Sequence, residues 1–136
     1  MDERYDIIRA VRGKRFKYIR NYEPFKMYYQ YINTAEKGRL MKEIRRLSEA
    51  GQLPAPAARM FASGKPVEEL YDTTNDPHEI HNLADKPEHS GVLRRMRKAH
   101  LDWVADTRDL GLIPEPIIAA REIKSGDRYS LLRGKE

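Results

Sequence analysis

Glu69-Leu70-Tyr71-Asp72-Thr73-Thr74-Asn75-Asp76-Pro77-His78-Glu79-Ile80-His81-Asn82-Leu83-Ala84 is the stretch that decides the fold. Its opening completes a strand expected over residues 66–72. Asn75, Asp76 and Pro77 are turn formers, because proline fixes φ and the short polar side chains bond nearby backbone. Glu79 and Asn82 are placed to satisfy backbone groups as the loop bends, with Leu70 and Leu83 as core anchors. Asp85 can then cap a helix that carries Pro87 in its first turn and runs to about Thr107. Val92, Leu93, Met96, His100, Trp103 and Val104 share one side of that helix, a stripe typical of a core element. A strand, a polar turn and a long amphipathic helix in succession mark an α+β chain.

Upstream, residues 5–12 and 15–22 read as two strands separated by Gly13-Lys14, a pair suited to a type II′ turn with Gly at the positive φ. In that register Val11 faces Phe16, Arg9 faces Tyr18, and Ile8 pairs with Ile19 on the other side. Both faces then carry apolar residues, which places the hairpin inside a larger sheet. Residues 21–33 are rich in aromatics, with Pro24 among them, and read as an irregular connection. Thr34 can cap a helix over 35–50 that Gly51 ends, with Leu40, Met41, Ile44 and Leu47 as its apolar stripe. A shorter helical piece over 55–62 is closed by Gly64. The expected architecture is a small antiparallel sheet of about four strands, packed by a long C-terminal helix, with an inserted helical segment. Residues 1–108 form one subdomain (hairpin 5–22, helical insert 34–64, strand 66–72, helix 86–107), and 109–136 form a Pro-interrupted polar tail.

At 136 residues, with 40% hydrophobic and 35% charged residues, the chain can bury only a modest core. No run is long and apolar enough to span a membrane, and Met1-Asp2-Glu3-Arg4 lacks the apolar core of a signal peptide. Read alone, these features lead us to expect a soluble, cytoplasmic protein. The absence of cysteine excludes disulfides and thiolate metal sites. The net charge of +5 is uneven: Arg9, Arg12, Lys14, Arg15, Lys17 and Arg20 fall in a stretch without acids. Such a stripe is either a solvated strand face or an attractor for nucleic acid, an acidic membrane surface or a sulfated sugar. His78 and His81 have a ligand-like spacing but lie in a loop with no third donor nearby, so surface histidines are expected. His100, on the inner side of the last helix, reads as a satisfied core histidine.

The signature from Glu69 resembles the C-terminal signature of the type I, formylglycine-dependent sulfatases, where Glu-Leu-Tyr-Asp runs into Asn-Asp-Pro-x-Glu-x-x-Asn-Leu. The resemblance extends in order along residues 3–115. Arg9-Ala10-Val11-Arg12 and Arg15-Phe16-Lys17-Tyr18-Ile19-Arg20 look like the strand pair that opens the sulfatase C-terminal subdomain. Leu101-x-Trp103 sits on the long helix. Asp106-Thr107-Arg108-Asp109-Leu110-Gly111-Leu112-Ile113-Pro114-Glu115 resembles a bacterial arylsulfatase and heparan-sulfatase-like branch. The resemblance implies an alkaline-phosphatase-like catalytic domain outside this chain. There a formylglycine made from Cys or Ser would attack a sulfate ester while a calcium ion steadies the sulfate.

This chain contains no Cys/Ser-x-Pro/Ala-x-Arg run and none of the family's paired acidic metal motifs, so no catalytic residue, metal ligand or cofactor is assigned to it. The expectation is a sulfatase C-terminal subdomain, inactive alone, whose partners are the catalytic domain and, through it, a sulfated carbohydrate. The parent enzyme is then expected to be periplasmic or secreted. Its sheet face and aromatic segment would dock on the catalytic domain. Within it the loop Asp2-Glu3-Arg4-Tyr5 would lie near the substrate cleft, with Arg4 contacting an anionic or hydroxyl-rich substrate and Glu3 positioning it. The alternative is a stand-alone nucleic-acid-binding module that uses the Arg9 to Arg20 stripe with Tyr28, Tyr29 and Tyr31 as stacking platforms.

Overall fold

The computed structural model describes residues 5–127. Three strands, Ile8–Arg12 (β1), Phe16–Asn21 (β2) and Glu68–Asp72 (β3), form one antiparallel sheet in the order β1-β2-β3. The sheet thus has three strands among the described residues, not about four. The insertion between β2 and β3 carries helices Asn33–Lys37 (α1), Arg39–Glu49 (α2) and Ala55–Ala58 (α3). The long helix Ser90–Thr107 (α4) follows β3, and Glu115–Ser125 (α5) comes last.

The hairpin forms, but its register differs from the expected one by two residues. Ile8 pairs with Asn21, Arg9 with Arg20 and Arg12 with Lys17. The turn is wider than two residues: the Gly13 N–H reaches the Phe16 carbonyl at 2.9 Å. Gly13 also lacks the positive φ of a type II′ turn, which among the described glycines belongs to Gly51 and Gly126. Because side chains alternate with period two, a slip of two leaves every residue on its expected face. Val11, Tyr18 and Leu70 therefore share one face of the sheet, and Ile8, Ile19 and Glu69 the other.

The first face is closed by α4. Tyr18, Leu70, Leu93 and Met96 form its buried centre, and Val11, Phe16, Leu83 and Val92 pack around them. His100 is buried on the same helix, whereas Trp103, expected on the inner side, is 46% exposed. Length accounts for this: an 18-residue helix spans about 27 Å, while strands of five or six residues span only about 17–20 Å. The last turns of α4 overhang the sheet.

The turn after β3 does more than reverse the chain. Alternation along the ladder leaves the N–H and C=O groups of Glu68, Leu70 and Asp72 pointing away from β2, and four of these six are met. The Leu83 N–H bonds the Leu70 carbonyl at 2.8 Å. Asn82 Oδ1 accepts the Leu70 N–H at 2.9 Å, and Asn82 Nδ2 donates to the Glu68 carbonyl at 3.2 Å. The Asp72 carbonyl accepts from Asn75 at 3.1 Å and Asp76 at 2.7 Å. Asn82 thus takes the backbone-bonding role expected for it. Glu79 takes another, with its side chain 2.6 Å from Lys17 Nζ and its backbone left-handed at φ 55°.

Local signals read less well in the insertion. One helix over 35–50 becomes two, because Gly38 sits between them with an extended ψ of 143°. No side chain caps α1, so Thr34 does not act as its cap. Met41 is buried, but Leu40 is 75% exposed. Likewise Asp85 does not cap α4, which is preceded by a 3-10 turn over Pro87–His89. Beyond residue 109 the polar stretch folds back. Ile118 on α5 is buried, and Arg9 holds Asp109 through Nε–Oδ2 at 2.5 Å and Nη2–Oδ1 at 3.0 Å. Gly111 makes room for this pair, since a Cβ there would lie 2.0 Å from Arg9 Nη2.

Two substitutions test the arrangement, with Trp103 fluorescence and circular dichroism following urea unfolding. Leu70→Ala empties the centre of the core and is expected to cost about 3 kcal/mol. Asn82→Ala strands the buried Leu70 N–H and is expected to cost about 1–3 kcal/mol. A loss at position 82 within error of zero would show that the edge of β3 does not depend on this amide.

Candidate functional site

The second face of the sheet is the floor of a cleft of about 450 Å³. Ile8 and Ile19 line it from the sheet, Met60 from the insertion, and His78 and Ile80 from the loop after β3. Volumes of this size are those of small-ligand sites, although they serve equally as grooves for a protein segment. The strand alternation puts Asn21, Glu69 and Tyr71 on the floor. They form one connected set. Asn21 Nδ2 donates to Glu69 Oε1 at 2.6 Å, and the Tyr71 hydroxyl donates to Glu69 Oε2.

Arg59, held by the short helical piece after α3, reaches across this set. Its Nη1 donates to the Ile80 carbonyl at 2.8 Å, and its Nη2 lies 3.3 Å from the Tyr71 hydroxyl, 3.5 Å from that of Tyr28 and 3.8 Å from Glu69 Oε2. Burial, reinforced by Glu69, pushes the Tyr28 phenol up to about 12 and raises Tyr71 as well. Neither phenol ionises near neutral pH, so neither serves as a base or nucleophile. The carboxylate is fully engaged by donors.

The other candidates separate clearly. Glu3 and Arg4 lie outside the described residues. Among the described residues no group of three or more His, Asp or Glu is arranged to hold a metal ion. His78 stands at the rim of the cleft, and His81 is exposed, with its backbone N–H donating to Asp76 Oδ2 at 2.7 Å. No helix among the described residues is long and apolar enough to cross a membrane.

The basic stripe is partly a solvated face, with Arg12, Lys14 and Arg15 exposed, and partly a set of ion pairs. Arg9 pairs with Asp109, Arg15 with Asp72, Lys17 with Glu79 and Arg20 with Glu68. Arg15 and the Asn75 side chain hold the Asp72 carboxyl well below the usual carboxylate range. Arg12 and Lys14, at the hairpin tip, make no ion pair among the described residues. Tyr29 is likewise committed, to Glu36 at 2.7 Å, and Tyr28 faces Arg59. Four of the six basic residues and two of the three tyrosines are thus engaged in internal contacts. Sequence reasoning missed Arg59 because nothing local marks an arginine that works on a distant strand.

His100 is a core histidine with a partner, its Nε2 lying 2.8 Å from the Tyr22 hydroxyl. Burial and then the nearby Arg20 and Arg9 lower its pKa. The unfolded chain therefore takes up a proton at this position more readily than the folded one. Stability contributed here is present above the unfolded value of 6.5 and is lost as the pH falls below it. The melting temperature is expected to drop between about pH 7 and pH 5.5, above the carboxylate range. His100→Gln should flatten that slope, and an unchanged slope in the variant would assign the pH dependence elsewhere.

No family model matches the chain. Two curated relatives do, both described as ulvan-active sulfatases of Formosa agariphila. One is 43% identical over 114 residues, covering 84% of this chain and 19% of the relative. The second is 32% identical over 116 residues, covering 83% of this chain and 21% of the relative. The chain therefore spans about a fifth of the length of these relatives. With most of its residues aligned, and with the strand, turn and helix of the Glu69 signature folded as one unit, the chain belongs to the sulfatase family.

Proposed function

We propose that this chain is the C-terminal subdomain of a sulfatase, and that the enzyme it belongs to hydrolyses sulfate esters of carbohydrates. The observation that carries the reading is the match itself, which covers most of this chain but only 19% and 21% of two ulvan-active sulfatases. The order of the strand pair, the Glu69 signature and the Trp103 helix supports a C-terminal place. On this reading residues 1–108 are the subdomain, and the segment from Asp109 is strapped to it through Arg9.

The overall reaction takes a sulfate ester and water to an alcohol and hydrogen sulfate. The groups that carry it out, formylglycine and calcium in this family, would reside in the remainder of the enzyme. The residues of this chain do not fit either group, since the sequence has no Cys/Ser-x-Pro/Ala-x-Arg run and the described residues offer no cluster of metal ligands. No chemical step is therefore assigned to them. Their part is mechanical: a closed core against α4 gives a rigid platform, and the opposite face presents the cleft. Glu3 and Arg4 are proposed to border the substrate.

The test is reconstitution. One of the ulvan-active relatives is produced without the segment that aligns here, and sulfate release from ulvan is measured with and without the full chain described above. The expected result is no release by this chain alone and a clear gain when the two parts are combined. Release by the chain alone, or no gain on mixing or co-expression, would overturn the proposal.

A further inference from the structure

The inner side of α4 is complete, with Leu93, Met96 and His100 buried. Its outer side carries charges that the fold does not explain. Arg94, Arg95 and Lys98 are exposed there. Among the described residues Arg94 and Arg95 make no ion pair, and Lys98 meets only Asp102, one turn on at 2.7 Å, with both side chains mostly in solvent. Arg94 precedes Lys98 by four residues and Arg95 precedes it by three. Like charges are thus neighbours at the two spacings that bring helical side chains together, which weakens a helix. The wider pattern also runs against the helix dipole: these cations come early, Asp102 and Asp106 come late, and the first turn has no acid and the last no base. On α2, by contrast, Arg45 and Arg46 are matched to Glu36 and Glu43 at 2.5 and 2.7 Å. The hairpin tip adds to the patch. The Phe16 ring lies 6.0 Å from that of His89, which sets the exposed Arg12 and Lys14 near the start of α4.

A face that costs the helix stability and serves nothing inside the chain is one that an external anion would relieve. We infer that the outer face of α4 holds a sulfated polysaccharide chain, with Arg94, Arg95 and Lys98 as the groups that meet its sulfates. The inference rests on the proposed function, since an enzyme acting on sulfate esters of carbohydrates meets polymers whose charge repeats along their length. The guanidinium fork suits paired oxygens on one anionic centre, as in carboxylates and phosphates, and a sulfate ester offers the same. From Arg94 to Lys98 the axis rises about 6 Å. That is shorter than the screening length of about 8 Å at physiological salt, so the three charges act together. Their neighbours on the helix surface are Gly91, Ala99 and Leu101 and not aromatic rings, which favours charge contact over the stacking of bases. The cleft, on the opposite side of the sheet, is left free.

The test uses the full chain and ulvan, with desulfated ulvan as the control. Calorimetry is expected to show binding to ulvan and not to the control, and the binding should weaken as salt is raised. Arg94→Gln, Arg95→Gln and Lys98→Gln together keep a helix-forming side chain at each exposed position, so the fold should survive, as read by circular dichroism. Affinity for ulvan is expected to fall about tenfold or more. Lys37→Gln, Lys42→Gln and Lys124→Gln remove the same charge from exposed positions on α1, α2 and α5, and should bind like the parent chain. Lysine acetylation followed by mass spectrometry supplies a readout that needs no variant. Bound ulvan should protect Lys98 and leave Lys37 and Lys42 reactive.

No binding at low salt, equal binding by the α4 variant, or an unprotected Lys98 would overturn the inference. Equal affinity for single-stranded DNA or for anionic phospholipid vesicles would overturn it as well, because the face would then serve any polyanion. These outcomes separate from those of reconstitution. If mixing restores sulfate release while the α4 variant holds ulvan as tightly as the parent, only the inference falls. If mixing gives no release yet ulvan binding disappears with the α4 charges, the surface stands and the proposed function falls.

Discussion

The side-chain amide of Asn82 is the contact on which the rest of the structure leans. A three-stranded sheet of five- and six-residue strands has two edges and little interior, so each unpaired backbone group weighs heavily. Leu70 lies at the buried centre, where its outward N–H cannot be left to water. Asn82 accepts that N–H and donates to the Glu68 carbonyl in the manner of one more strand residue. Its Oδ1 also takes the Ala84 N–H at 2.9 Å, and so aims the chain toward α4. The core on one face and the cleft on the other both depend on β3 being held at this line.

Much of this was legible because period-two and helical patterns are robust to local error. The hairpin register was off by two residues, yet Tyr18, Val11 and Ile19 kept their faces, and the α4 stripe through Leu93, Met96 and His100 held. Signals that rest on single residues fared worse. Thr34 and Asp85 are good capping residues that cap nothing, because the chain enters α1 and α4 through other conformations. Gly38 splits the helix expected over 35–50 just ahead of its stripe, which begins at Leu40. Arg59, Asp109 and Glu68 owe their roles to partners far along the chain, and no local pattern announces such pairs.

Charge tells a similar story. Six basic residues in one short run look like a surface for a polyanion when read in isolation. In the folded chain four of them are matched to acids from three later segments: β3, the loop that follows it, and the stretch after α4. The pairs are short and several are partly buried, so they orient elements more than they stabilise them. Lys17 to Glu79 fixes the loop that walls the cleft, and Arg20 with Arg97 brackets Glu68 between sheet and helix. A stretch that reads as an attractor for partners is thus largely the glue between the first hairpin and everything that comes later.

Gly111 gives the last of these attachments an inheritance of its own. The space a side chain would need there is already filled by the guanidinium of Arg9. Positions 9, 109 and 111, a hundred residues apart, therefore form one unit of variation. A lineage that gains a side chain at 111 must move the end of the arginine aside, and with it loosen the hold on the acid at 109. Across related chains the three should drift together or stay still, and their joint pattern would trace which descendants keep the segment after α4 fastened to the first strand.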